Sequence, residues 1–298
     1  MAAYPFPTPV WDTSGKRSIF HEQLGRAATM AWATAAIYIL DESASAISKR
    51  LAAPDSAPGS NSKYLYQLKS GKHVLSSKGG GRYGYNWLAA VAERPRGDRV
   101  TRFYYEPWEL MEREISLDRV SELLHATVLS LCGPNSVCFF YVAEEGFPST
   151  PAWWRKRSSL HDEIRALDAG VKSAMSAVKG CSDAEFDRFV AFWCLYREAM
   201  LRRELKRAVY YRLAVVDAGK KIASHPVFSQ VFANEYDRLF KQVLEEDGLP
   251  PIRDIYLRKV RGFAERNVLP FFGSARDSAR MGLRAILKQV LKKARSRG

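Results

Sequence analysis

The chain has 298 residues, 47% hydrophobic and 26% charged, enough to bury about three quarters of the surface its unfolded form exposes. That length excludes a disulfide-built miniprotein, and its 19 Gly, 14 Pro and 12% aromatic residues exclude a disordered or low-complexity protein. Lys and Arg number 46 against 32 Asp and Glu, and the net charge of +14 points to a polyanionic partner.

Pro5, Pro7 and Pro9 open the chain as an extended arm. From Arg17 to Ala53 strong helix formers dominate, with apolar positions at Phe20, Leu24, Ala27, Ala28, Ala31, Ala35 and Ile39, and a helix, bent or straight, is predicted. Its most apolar part, Ala27 to Leu40, stops at Asp41 and falls short of the ~20 residues of a membrane span. It reads as a core helix, neither an anchor nor a signal peptide, and no membrane partner is expected. Pro54 to Ser62 reads as a loop.

Between Lys63 and Trp108 the composition turns β-like. Tyr64 to Leu68 and Val100 to Tyr105 predict short strands of a small sheet. Leu110 to Cys132 returns to helical period, and Val137 to Val142 suits a buried strand. After Gly146 to Pro151, which reads as a boundary, the chain is almost wholly helical. Ser182 and Glu185 form a capping box that opens a long helix reaching about Ala218. Pro226 suits the first turn of another helix, ending at Gly248, and two more follow over Ile252 to Val268 and Ala275 to Arg295. The expected fold is mainly α: a mixed α/β N-terminal module with a small β-sheet over 1–150, then a helical C-terminal bundle over 151–298, held by aromatics from Phe186 to Tyr196.

The positive charge is concentrated. Arg253 to Gly298 holds 13 basic residues against three acidic ones, and Lys63 to Arg102 holds nine against two. On the last predicted helix Arg276, Arg280, Arg284, Lys288 and Lys292 recur every four residues and span about 160° of one side, opposite the apolar stripe of Leu283, Ile286, Leu287, Val290 and Leu291. Arg202, Arg203 and Lys206, with Arg207 and Tyr210, form a second cationic face, for which Glu198 and Glu204 offer in-helix partners. The loop of Lys78, Arg82, Tyr83 and Tyr85 interleaves cations and rings among four glycines and suits phosphates and bases. It contains G-x-G-x-x-G spacing, but no apolar strand leads into it, so it is not a dinucleotide fingerprint. Trp153, Trp154, Arg155, Lys156 and Arg157 join two flat rings to three cations, a set that could stack on bases or pack as core.

Catalytic signatures are sparse. Cys132, Cys138, Cys181 and Cys194 contain no C-x-x-C pair and read as reduced thiols of a cytoplasmic protein. His125 followed by the pair His161-Asp162, with Asp183, Asp187 and Asp217 downstream, resembles the H…HD…D order of HD phosphohydrolases, which implies a divalent-metal site at those side chains. Asp162 equally suits the start of a helix, where an acid complements the dipole. The reading these patterns favour is a non-enzymatic, cofactor-free protein that grips nucleic-acid phosphates and serves as a subunit of a larger nucleoprotein complex of the replication or RNA-guided defence type. A metal-dependent phosphohydrolase and a scaffold for acidic protein partners are the alternatives.

Overall fold

The computed structural model describes residues 18–50, 63–75, 86–132, 182–231 and 237–249, together with Pro9, Trp11, Leu167, Ala169 and Gly170. The chain divides into two compact units, Met1–Asp247 and Gly248–Gly298, and every described helix belongs to the first.

Ser18 caps the first helix, α1 (Ile19–Leu40), its Oγ accepting from the His21 amide at 3.2 Å. Alanines and small residues line α1 on all sides, and residues 27–36 are buried without interruption, so α1 is a core helix and not a surface one. Asp41, in the left-handed region at φ 53°, ends it, and α2 (Ala44–Arg50) follows. The predicted helix over this stretch is thus two helices.

The predicted sheet is absent among the described residues. The described residues are 77% helical and contain no strand. Tyr64 to Leu68 lies in α3 (Tyr64–Lys69), and Val100 to Tyr105 lies in α5 (Gly97–Tyr105); α4 (Trp87–Ala92) stands between them. β-branched and aromatic residues suggested strands, but burial follows helical spacing: Leu65 with Leu68, and Val100 with Phe103 and Tyr104. Helices this short are marginal alone, and packing against α1 holds α3 and α5 in place. The fold is therefore all-helical over the described residues, and Val137 to Val142 lies outside them.

α6 (Trp108–Met111) leads to α7 (Leu117–Cys132), which packs on α8 (Ser182–Leu201). α8 is buried from Phe186 to Ala199 and also carries α9 (Leu205–Ile222). The long helix predicted from Ser182 to about Ala218 breaks at 202–204. The Arg203 amide donates to the Met200 carbonyl at 3.0 Å and the Glu204 amide to the Ala199 carbonyl at 2.8 Å, while Arg203 sits at φ 58°. These bonds form a Schellman stop. Glycine usually marks such a stop, and an arginine there leaves no signal in the sequence.

α10 (Phe228–Val231) and α11 (Asp237–Glu246) complete the body. Phe103 of α5 stacks on Phe186 of α8 at 4.5 Å between centroids, Phe228 packs on both, and Phe240 of α11 meets Trp193 edge-on at 5.5 Å. Residues from both halves of the chain thus share one aromatic core. No helix among the described residues is long and apolar enough to cross a membrane.

Candidate nucleic-acid interface

Most arginines among the described residues are matched by carboxylates. Arg102 Nη2 reaches Glu106 at 2.8 Å and Asp187 at 2.7 Å, and Asp187 also accepts from Ser130 Oγ at 2.9 Å, which ties α5, α7 and α8 together. Burial works against the Arg102 charge, but the two carboxylates outweigh it and hold the pKa above its ordinary value. Arg119 pairs with Glu109 at 2.8 Å and Glu122 at 3.1 Å, and Arg94 with Glu42 at 2.6 Å. Arg99 pairs with Asp183 and Arg113 with Glu246, while Arg197 donates to the Glu112 carbonyl at 2.6 Å. Such pairs fix packing and leave little field outside the body.

The sequence shows the same balance. The described residues carry 23 Lys and Arg against 21 Asp and Glu, while the rest of the chain carries 23 against 11. The +14 surplus therefore belongs almost entirely to the other segments, Arg253 to Arg297 above all.

Of the predicted contact residues, Arg202, Arg203 and Lys206 are described, and all three are exposed at the α8–α9 corner. Arg202 is bonded to the buried Glu198 at 3.0 Å, and neighbouring Arg207 to Glu204 at 3.5 Å. Arg203 and Lys206 make no ion pair among the described residues, and Leu201, Leu205 and Tyr210 beside them are 40%, 59% and 47% exposed. Lys78, Arg82, Tyr83, Tyr85, Trp153, Trp154, Arg155, Lys156, Arg157, Arg276, Arg280, Arg284, Lys288 and Lys292 lie outside the described residues.

A surface not singled out in the sequence stands out by contrast. Residues 63–75 contain Lys63, Lys69 and Lys72 and no Asp or Glu, and none of these lysines is ion-paired among the described residues. Leu65 and Leu68 bury one side of α3, which turns Lys63, Tyr66 and Ser70 outward. Lys69, in the last turn, complements the helix dipole; Lys63, at the N-cap with no side-chain cap bond, opposes it.

The turn after α3 is built tightly onto α1. Gly71, at φ 71°, permits it, and a Cβ there would sit 3.0 Å from Met30 Sδ and 3.1 Å from Arg26 Cγ. The Leu75 amide donates to Thr29 Oγ1 at 3.0 Å, and Tyr104 Oη donates to the Leu75 carbonyl at 3.1 Å. His73 stacks on Tyr64 at 5.9 Å, and Tyr64 packs on Trp87 at 5.2 Å. The result is a fixed cationic platform with exposed Arg26 alongside, joined in sequence to the predicted Lys78 to Tyr85 loop. The excess of cations from Lys63 to Arg102 is visible in the sequence; reading Tyr64 to Leu68 as a strand hid which side chains of the segment share the exposed face.

His125, of the phosphohydrolase-like pattern, lies half-buried on α7, and burial pushes its imidazole below the usual histidine range. His161 and Asp162 lie outside the described residues. No group of three or more metal-ligating side chains occurs among the described residues. A cleft of about 330 Å³ opens beside the start of α1, lined by His21, Glu112, Arg113, Glu114 and Glu246 among others, and contains none of the predicted contact residues. Comparison with protein-family models, with curated proteins and with solved structures finds no match.

Proposed function

We propose that this chain is a cytoplasmic nucleic-acid-binding protein that grips the phosphate backbone without catalysing a reaction on it, as a subunit of a larger nucleoprotein complex. The observation that carries the reading is selective charge matching. The arginines of α5, α7 and α8 are tied to carboxylates, whereas Lys63, Lys69 and Lys72 of the segment 63–75 make no ion pair among the described residues. Arg203 and Lys206 add a smaller patch at the α8–α9 corner. The segment from Arg253 to Arg297, with 13 basic and three acidic residues, supplies the larger share of the attraction.

Titration of a labelled oligonucleotide at several salt concentrations tests this. Log affinity should fall with log salt at a slope of about −0.7 to −0.9 per phosphate contacted. A combined Lys63→Glu, Lys69→Glu, Lys72→Glu variant should weaken binding and flatten the slope by about two to three contacts. Affinity indifferent to salt, or a triple variant that binds as the wild type does, overturns the reading.

A further inference from the structure

We propose that the α3 platform selects single-stranded over double-stranded nucleic acid, by stacking an unpaired base on Tyr66. The inference rests on the phosphate-binding reading above and goes beyond it in naming the strand form. Tyr66 is 53% exposed although the opposite side of the same short helix is fully buried. Lys63 lies one turn before it on the same face, and Ser70 one turn after. An aromatic ring between a cation and a small hydroxyl offers a flat surface on which a base can lie while its phosphates reach Lys63, Lys69 and Lys72.

A duplex cannot use that ring without unstacking, because its bases already cover one another; the Tyr66 hydroxyl can donate to a phosphate of either strand form, so only the ring distinguishes them. The platform is also held in place. Tyr64, the residue two before Tyr66, is wedged between His73 and Trp87, and Leu65 and Leu68 are fully buried. A ring on a fixed helix loses less freedom on stacking than one on a free loop.

Fluorescence anisotropy with a labelled oligothymidylate of about 20 nucleotides and a mixed-sequence duplex of the same length tests the proposal, since one stacking platform needs only a few nucleotides. The wild type should bind the single strand more tightly by about five-fold or more, and Tyr66→Ala should remove that advantage. Tyr66→Phe, which keeps the ring, should restore it. Photo-crosslinking of bromodeoxyuridine oligonucleotide to the wild-type protein should label the peptide that holds Tyr66, a readout that needs no variant. Equal affinity of the wild type for both strand forms overturns the inference, as does Tyr66→Ala binding single strands like the wild type. If the lysine variant still loses affinity in that case, phosphate binding stands and strand selection alone fails. If neither variant changes anything, both fall.

Discussion

Replacing His225 by Asn should remove an acid sensitivity built into the aromatic core. His225 is 4% exposed, with the rings of Phe103, Phe228, Phe186 and Tyr38 at 5.8, 5.8, 6.4 and 6.5 Å. Its Nδ1 accepts the Val227 amide at 3.1 Å, which places the proton of the neutral ring on Nε2. Charging the ring would turn that acceptor into a donor amid apolar rings, and burial accordingly pushes the pKa down to about 4. The unfolded chain protonates the same histidine near 6.5, so it binds the extra proton first as pH falls. The stabilisation is fully present above about pH 6.5 and drains away toward pH 4. The gap of about 2.5 pKa units corresponds to about 3 kcal/mol. Urea denaturation at stepped pH, from about 7.5 to about 4, reads the loss as a falling unfolding free energy. Asn keeps an acceptor for the amide two residues on but does not titrate. The wild type, about 1 to 3 kcal/mol more stable at the upper end, should lose about 3 kcal/mol relative to the variant across that window and finish level with it or below it. Parallel curves for the two proteins would refute the reasoning.

Two further outcomes follow from the backbone. Arg203→Gly should raise thermal stability by about 1 kcal/mol, because glycine adopts φ 58° without the penalty a side chain bears there; calorimetry checks it, and an unchanged or lower melting point would contradict the assigned geometry. Gly97→Ala should cost about 3 kcal/mol or more or prevent folding, since the new Cβ would overlap the Val91 carbonyl oxygen and only backbone movement can relieve that clash. Urea midpoints compared with those of an Ala90→Gly control distinguish this steric effect from a change in helix propensity.

The elements that could be read from sequence are those whose pattern runs long enough to outvote local composition. α7 repeats its apolar positions over four turns, while α1 and α8 are long runs of helix formers and apolar residues, α8 opened by a capping box, and the prediction found all three. α3 and α5 are six and nine residues long, too short for period to decide, so tyrosines and valines pointed to strands. That error carried into the interface. As a strand, Tyr64, Tyr66 and Leu68 would share a face; as a helix, Leu65 and Leu68 share the buried one and Tyr66 joins Lys63 outside. The matching of arginines was hidden for a different reason. Glu42 lies 52 residues from Arg94, and Asp187 lies 85 from Arg102, so counting charge along the chain could not show which cations are neutralised. At 202–204, by contrast, the obstacle was local, an arginine where a stop is usually glycine.

The sheathing of α1 by its neighbours also sets how its backbone meets solvent. Residues 27–36 have no face from which a partial opening could let water reach their amides. Their amide protons should accordingly be among the slowest of the described residues to exchange with deuterium, and their exchange rates should approach a gauge of global stability.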